Sequence, residues 1–235
     1  MSDYNLNFRG FTTFSQLALD LAENIAFRLQ AGLEKNGAAS LVVSGGSTPL
    51  PFFDALAKQE IEWGKVMITL ADERWVAPAD PDSNELLVRT HLLTGRAATA
   101  RFVGLMSDGT SAAGGEAACE KKIAIIPRPF DAVVLGMGND GHTASFFPGA
   151  RNLAAATDMA SGRFCCAMRP VAAPHERMTL TLPTLIDARA IFVHLRGREK
   201  LKVFEKAVGP GPLNEMPIRY VLAQAAEPVN VYWAP

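Results

Sequence analysis

"FDAVVLGMGNDGH", residues 130–142, decides the fold class, because a continuous apolar run there ends in a cluster of glycines. Similar short apolar runs recur along the chain, and stretches with helical spacing separate most of them. Strands that are apolar throughout are typical of a parallel sheet covered by helices on both faces. We therefore predict an α/β fold with a mostly parallel sheet. Further strands are predicted in ASLVVSGG (39–46), KVMITLAD (65–72), AIFVHLRG (190–197) and VNVYWA (229–234), with RFCCAM (163–168) and RMTLTL (177–182) as additional candidates.

The intervening segments predict helices. Residues 14–37 place apolar side chains at i+4 steps on one helix face, and Gly37 is the predicted stop. A helix is also predicted over residues 198–208, whereas AAGGEAA at 112–118 is interpreted as part of a loop or a poor helix. The apolar stripe of the first helix consists of Leu17, Leu21, Ile25, Leu29 and Leu33.

Two more helices carry capping signals at their starts. TPLPFFDALAKQ is predicted to begin with Thr48 as N-cap and Pro49 at the first helical position. DSNELLVRTHLL is predicted to open at Asp82 or Ser83, with Glu85 placed for a capping box.

Composition limits the class of protein. The chain has 235 residues, of which 49% are hydrophobic and 20% charged, an ordinary globular balance. No repeat or linker divides it, so we expect one domain over residues 1–235. The formal net charge of −1 argues against a strongly basic protein that coats nucleic acid. A local anion site is still compatible with this charge, because it needs only a few donors.

The cysteines and histidines favour neither disulfides nor a metal site. Cys119, Cys165 and Cys166 are odd in number and show no C-x-x-C spacing, so we expect buried free thiols in a reducing compartment. The four histidines share no metal-ligand spacing.

The N-terminal residues MSDYNLNFRGF lack the basic and apolar regions of a secretory signal. No window approaches the ~18 uninterrupted apolar residues of a membrane span. We therefore expect a cytoplasmic protein, a monomer or weak homodimer, with no membrane or nucleic-acid partner.

Ligands of open parallel sheets bind beyond the carboxyl ends of the strands, so the segments that follow the strands are the candidate site. SGGSTP (44–49) combines Gly45 and Gly46 with the hydroxyls of Ser47 and Thr48 at a helix start, which suits a phosphate. A strand-to-helix turn without a ligand explains the same residues. ADERW (71–75) predicts either an ion pair on a turn or a set of sugar-phosphate contacts.

The three charged residues of that second segment are Asp72, Glu73 and Arg74.

The glycines at 136, 138 and 141 match the pattern G-x-G-x-x-G, but the context argues against a dinucleotide site. Such a site needs a long helix and then an acidic residue at the next strand end, whereas Pro148 and Gly149 interrupt this helix early. Asp140 and His142 indicate a different chemistry, because an imidazole is a good general base near neutral pH and a carboxylate can hold its tautomer. No G-x-S-x-G elbow is present, which disfavours a serine acyl-enzyme.

Two later cations complete the candidate set. Arg177 begins the strand candidate RMTLTL, and Lys200 lies at the start of a predicted helix, where the helix dipole disfavours a cation unless an anion is bound. A solvated lysine is the alternative for Lys200.

The segments SGGSTP, LADERWV, GMGNDGHTASFFPG, ERMTLTLP and GREK resemble, in this order, the 6-phosphogluconolactonases of the glucosamine-6-phosphate deaminase/isomerase superfamily. The resemblance spans roughly residues 14–231. It implies the parallel-sheet fold of that superfamily and hydrolysis of 6-phospho-D-glucono-1,5-lactone to 6-phosphogluconate in the oxidative pentose phosphate pathway, without a cofactor.

The resemblance also implies roles for individual residues. His142 matches the general base that activates water, Asp140 the acid beside it, and Arg74 the arginine that faces the substrate. The implied substrate-binding set is Gly45, Gly46, Ser47, Thr48, Asp72, Glu73, Arg74, Gly138, Arg177 and Lys200. The oxyanion donor is left open between the loop N–H groups near Gly138 and the Arg74 guanidinium.

Two rival functions are considered, an enzyme of the same superfamily and a non-catalytic protein. A deaminase/isomerase typically carries an aromatic residue where this chain has Arg74, and a glutamate shortly after the histidine, where this chain reads FFPG. A non-catalytic sugar-phosphate sensor normally adds a helix-turn-helix domain, for which the chain has no spare basic segment.

Overall fold

The computed structural model describes residues 4–171 and 173–235. Its strands are short, and most of those in the sheet centre are buried over their whole length. The strands are β1 (Leu6–Gly10), β2 (Ala39–Val43), β3 (Val66–Leu70), β4 (Asp72–Arg74), β5 (Arg101–Val103), β6 (Ala132–Leu135), β7 (Cys165–Met168), β8 (Arg177–Leu180), β9 (Ile191–Arg196) and β10 (Val229–Ala234). The α-helices are α1 (Phe14–Asn36), α2 (Leu50–Leu56), α3 (Asn84–His91), α4 (Ala112–Ile123), α5 (Leu153–Thr157), α6 (Leu182–Ile186), α7 (Arg198–Val208) and α8 (Ile218–Gln224).

The main sheet has seven strands in the order β1-β10-β9-β6-β2-β3-β5, and all its pairings are parallel. Helices flank this sheet, so the predicted fold class is confirmed. The chain builds outward in one direction from β2 through β3 to β5, and in the other from β6 through β9 to β10. The order therefore reverses between β2 and β6, and the carboxyl ends of these two strands open the crevice in which such folds bind ligands.

Helix α1 confirms the predicted apolar stripe. Leu17, Leu21 and Ile25 are fully buried, because i+4 spacing places them on the face that packs against α2, β2 and β10. The helix ends where predicted, at Gly37, which adopts the left-handed conformation with φ 73°.

The predicted start of α2 is wrong, whereas that of α3 is confirmed at Ser83 but without the predicted capping box. Thr48 does not cap α2, because the first helical hydrogen bond runs from Phe53 N–H to the carbonyl of Pro49 (2.8 Å), which makes Pro49 the cap. Ser83 caps α3 through the N–H of Leu86. This puts Glu85 one position too early for a capping box.

Glu85 instead forms an ion pair with Arg89 one turn later, at 2.8 Å. The segment 112–118 is helical, because Ser111 accepts the N–H of Gly114 and so caps α4.

A second, antiparallel sheet of order β4-β8-β7 lies outside the main sheet. The strand candidates that became β7 and β8 are confirmed as strands, but they pair here and not in the parallel sheet. The charged segment Asp72–Arg74 is itself a strand, β4, because it pairs with β8. The three cysteines are free and buried, as predicted.

Within the described ranges, no helix has both the length and the apolar content to cross a bilayer.

Candidate active site

A cleft of about 400 Å³ opens at the carboxyl ends of β2, β6 and β9, and the small sheet forms one wall. The sequence-predicted residues that line it are Gly45, Gly46, Ser47, Thr48, Asp72, Arg74, Gly138, His142, Arg177 and Lys200. They come from five separate segments of the chain, which the switch in strand order brings together.

His142 and Asp140 form a hydrogen-bonded pair in the loop after β6. The imidazole Nδ1 lies 2.5 Å from Asp140 Oδ1, and the same carboxylate oxygen accepts the backbone N–H of His142 at 3.1 Å. A proton on Nδ1 leaves Nε2 as a proton acceptor. Gly138 makes this arrangement possible, because a Cβ there would lie 2.1 Å from the imidazole ring. The ring of Phe147 packs against the imidazole with centroids 4.4 Å apart.

The interaction with His142 favours the ionised form of the Asp140 carboxylate. Burial by itself raises the pKa of Asp140, but the hydrogen bond and charge of the His142 imidazole and the backbone N–H outweigh it and lower the pKa to about 2. Asp140 is therefore a carboxylate at neutral pH, able to orient the imidazole and to stabilise the imidazolium.

Arg74 and Arg177 lie opposite each other across the β4–β8 pairing, so their guanidinium groups share one wall of the cleft. Arg74 Nη1 donates to the carbonyl of Asp82 at 3.0 Å and to the side-chain oxygen of Asn84. Arg177 is buried. Burial lowers its pKa, and Asp72 opposes this effect. Two close guanidinium groups favour an anionic ligand between them.

Lys200 lies across the cleft on the first turn of α7. Its Nζ donates to the carbonyl of Met137 at 2.7 Å. Burial lowers the pKa of Lys200, while the charges of Asp140 and Glu199 act in the opposite direction. The ammonium of Lys200 therefore attaches α7 to the loop that carries His142.

Glu73 does not face the cleft, so its expected contact with a substrate is not supported. Neighbouring side chains of a strand point to opposite faces, and Glu73 lies between the cleft-facing Asp72 and Arg74. Its carboxylate, which is 1% exposed, accepts the backbone N–H groups of Asn84, Glu85 and Arg74, each at 2.7 Å. Burial raises the pKa of Glu73 to about 7 against these hydrogen bonds.

A family model described as "Glucosamine-6-phosphate isomerases/6-phosphogluconolactonase" matches residues 12–233. The chain belongs to this family. A 6-phosphogluconolactonase of Mesorhizobium japonicum is 45% identical over 97% of this chain and 95% of its own length. The crystal structure of a 6-phosphogluconolactonase from Shewanella baltica superposes with a TM-score of 0.97, at 46% identity over all of both chains.

A monomeric glucosamine-6-phosphate deaminase also has this fold, with a TM-score of 0.79 over 97% of each chain. Its identity of 14% shows a shared fold and nothing further.

In this family member the cleft contains residues that the sequence did not single out. Asn84, His194 and Arg196 line it. Ser145, fully buried, donates its hydroxyl to Asp72 Oδ2 at 2.6 Å. Asn84 follows the capping residue of α3, a position that could have been noticed from the sequence, whereas nothing in the apolar strand around His194 signals a cleft residue.

His194 is a buried imidazole beside the cleft. It is 3% exposed, its Nε2 has no hydrogen-bond partner among the described residues, and the ring stacks on Phe14 with centroids 5.3 Å apart. Phe52 meets it edge-on. Desolvation lowers the pKa of His194 from 6.5 to about 4, so the neutral ring behaves as part of the core.

We expect His194 to make stability depend on pH. Between pH 6.5 and 4 the unfolded chain binds a proton that the folded chain excludes. The contribution of the neutral ring is therefore complete above pH 6.5 and is lost as the pH falls towards 4, by roughly 3 kcal/mol. His194→Leu should remove this loss in urea titrations at pH 7 and pH 4.5. His91→Gln, at an exposed histidine, should keep it, and parallel profiles for wild type and His194→Leu would contradict the assignment.

Proposed function

We propose that this chain hydrolyses 6-phospho-D-glucono-1,5-lactone to 6-phosphogluconate, the second step of the oxidative pentose phosphate pathway. The 6-phosphogluconolactonases that match nearly its whole length at about 45% identity support an enzyme acting on a lactone. The observation that carries the mechanism is the 2.5 Å His142–Asp140 pair, which shares one cleft with Arg74, Arg177 and Lys200.

In the proposed mechanism His142 Nε2 removes a proton from water as the water oxygen attacks the lactone carbonyl carbon. The carbonyl oxygen takes up negative charge in the tetrahedral intermediate. When the intermediate collapses, the bond to the ring oxygen breaks and the imidazolium returns the proton to that oxygen. Asp140 stabilises the imidazolium between the two steps. Base catalysis of this kind contributes about 10²–10⁴-fold to the rate.

The geometry favours Arg74 as a donor to the oxyanion. Of the two alternatives that the sequence leaves open, the N–H of Gly138 already donates to the carbonyl of His142 at 2.8 Å. The guanidinium of Arg74 lines the cleft. Among the residues that the structure describes, its hydrogen bonds to Asp82 and Asn84 use Nη1 alone. A donor held by the protein before the reaction needs no reorganisation as the charge develops.

The phosphate of the substrate is proposed to bind between the loop 45–48 and the cations Arg177 and Lys200. Gly46, with φ 92°, gives that loop a turn that other residues rarely adopt. The phosphate is remote from the reacting carbonyl carbon. Its binding energy would orient the lactone ring against His142.

The deaminase/isomerase alternative has less support. Its acid–base relay would need a carboxylate in FFPG, residues 146–149, where none is present. The sensor alternative predicts binding without turnover.

The test is lactone hydrolysis at neutral pH, with the phosphorylated lactone generated in situ and its loss followed above the spontaneous rate. We expect fast loss of the phosphorylated lactone, little acceleration of the unphosphorylated one, and no ammonia from glucosamine 6-phosphate. Release of ammonia without lactone hydrolysis would support the isomerase chemistry. Binding without turnover would support the sensor.

We further propose one domain over residues 1–235, a monomer or weak homodimer, and a cytoplasmic location. Sedimentation equilibrium across a range of protein concentrations would test the oligomeric state.

A further inference from the structure

The side chain of Asn84 makes three contacts in the cleft, two with β4 and one with the loop after β2. Its Nδ2 donates to the carbonyl of Asp72 at 2.8 Å, and its Oδ1 accepts from Arg74 Nη1. The residue is 2% exposed, although it lines the cleft. Both the amide nitrogen and the amide oxygen of Asn84 are therefore hydrogen-bonded to β4. The oxygen holds the Arg74 guanidinium, which is proposed to face the reacting carbonyl.

The third contact is with the loop after β2. A Cβ built on Gly45 would lie 1.8 Å from Asn84 Oδ1, and the three nearest atoms all belong to the Asn84 amide. The Gly45 backbone thus packs directly on this amide. Gly45 has no left-handed φ, so contact with Asn84, and not backbone conformation, explains the glycine here.

The backbone of Asn84 is also fixed. The backbone N–H groups of Asn84 and Glu85 lie in the first turn of α3, where the helix itself offers them no acceptor. Both donate to the buried Glu73 carboxylate. The Ser83 hydroxyl donates to the same carboxylate at 3.1 Å. The first turn of α3 is therefore attached to β4 through its backbone as well as through the Asn84 side chain.

From these contacts we propose that Asn84 is a positioning residue, whose amide holds the Arg74 guanidinium and the Gly45 loop in one fixed arrangement. It acts through Arg74 and does not touch the substrate. Its catalytic role rests on the proposed lactonase function, whereas its contact with Gly45 does not. Asparagine suits the position because one side must donate to a carbonyl and the other must accept from a guanidinium. Aspartate lacks the donor, and alanine lacks both groups.

The first test measures kcat and KM of Asn84→Ala with the phosphorylated lactone. A displaced Arg74 should lower kcat/KM by about 10–100-fold, mostly through kcat, because small displacements of catalytic groups are costly. In an Arg74→Ala background, adding Asn84→Ala should change kcat/KM by less than about 3-fold. Asn230→Ala is the matched control, since that amide donates to the Ile191 carbonyl at the opposite end of the sheet.

Two results of this kinetic test would overturn the proposal. One is kcat/KM of Asn84→Ala within 2-fold of the control. The other is the same loss from Asn84→Ala whether or not Arg74 is present. Asn84→Ser replaces Asn84→Ala if circular dichroism shows that the alanine variant does not fold.

The second test does not depend on the reaction. Gly45→Ala should lower the melting temperature by about 5 °C, because the new Cβ overlaps the Asn84 amide. In the Asn84→Ala background the same change should cost less than about 2 °C, because the overlapping atoms are gone. Equal losses in both backgrounds would overturn the proposal. If this coupling is found but the wild type does not hydrolyse the lactone, the Gly45 contact stands and the proposed function fails.

Discussion

His142→Ala is expected to lower kcat for the phosphorylated lactone by about 10²–10⁴-fold, the range that a positioned general base contributes. The substitution removes the Nε2 acceptor and leaves Asp140 without the imidazole it orients. The side chain of His142 is 31% exposed, so its loss should disturb the fold little. KM should stay close to the wild-type value, because the cations that bind the phosphate are unchanged.

Steady-state kinetics at several pH values would measure both constants, with the spontaneous hydrolysis subtracted. His91→Ala is the control, because this exposed histidine lies on α3 outside the cleft residues. A near wild-type kcat for His142→Ala would show that another group activates water.

Arg177→Ala is expected to raise KM by about 10–100-fold, with a smaller change in kcat. The estimate follows from the net worth of a hydrogen bond to a charged group, about 1.5–3 kcal/mol. Because Arg177 is buried in the wall of the cleft, water can replace its charge only partly. Arg177→Lys should recover part of the affinity, since it restores the charge but not the planar donor pair.

The control is Arg28→Ala on the exposed side of α1, which should leave KM unchanged. An unchanged KM for Arg177→Ala would remove this residue from the phosphate site. Thermal melts of each variant would separate a loss of affinity from a loss of folded protein.

The sequence predicted the central strands of the main sheet better than its edge strands. β2, β6 and β9 are apolar runs because both their faces are covered. β1 and β5 were not predicted, since both edge strands are short and lack such a run, and β1 is largely exposed. β4 consists of three charged residues, so only its pairing with β8 reveals it as a strand.

The candidate site shows the same division. Segments that end parallel strands must meet at one edge of the sheet, so the Gly45 loop, His142 and Lys200 could be grouped from the sequence. The direction of Glu73 could not, because the strand that turns it away from the cleft is formed only by contact with β8. His194 was not predicted either, since it lies beside the cleft through packing on Phe14 and Phe52, which are distant in the chain. Asn84 was missed although it follows the helix cap at Ser83 directly.

The sequence by itself determined the α/β fold class and the chemical groups of the site, because apolar periodicity and glycine-rich strand ends are local properties. Only the tertiary structure decided which groups face one another. In the folded chain Arg74 lies opposite Arg177, and the Asn84 amide packs on Gly45. The buried Glu73 carboxylate accepts hydrogen bonds from the first turn of α3. These relations depend on strand pairing and close packing between segments far apart in the chain, which no local pattern encodes.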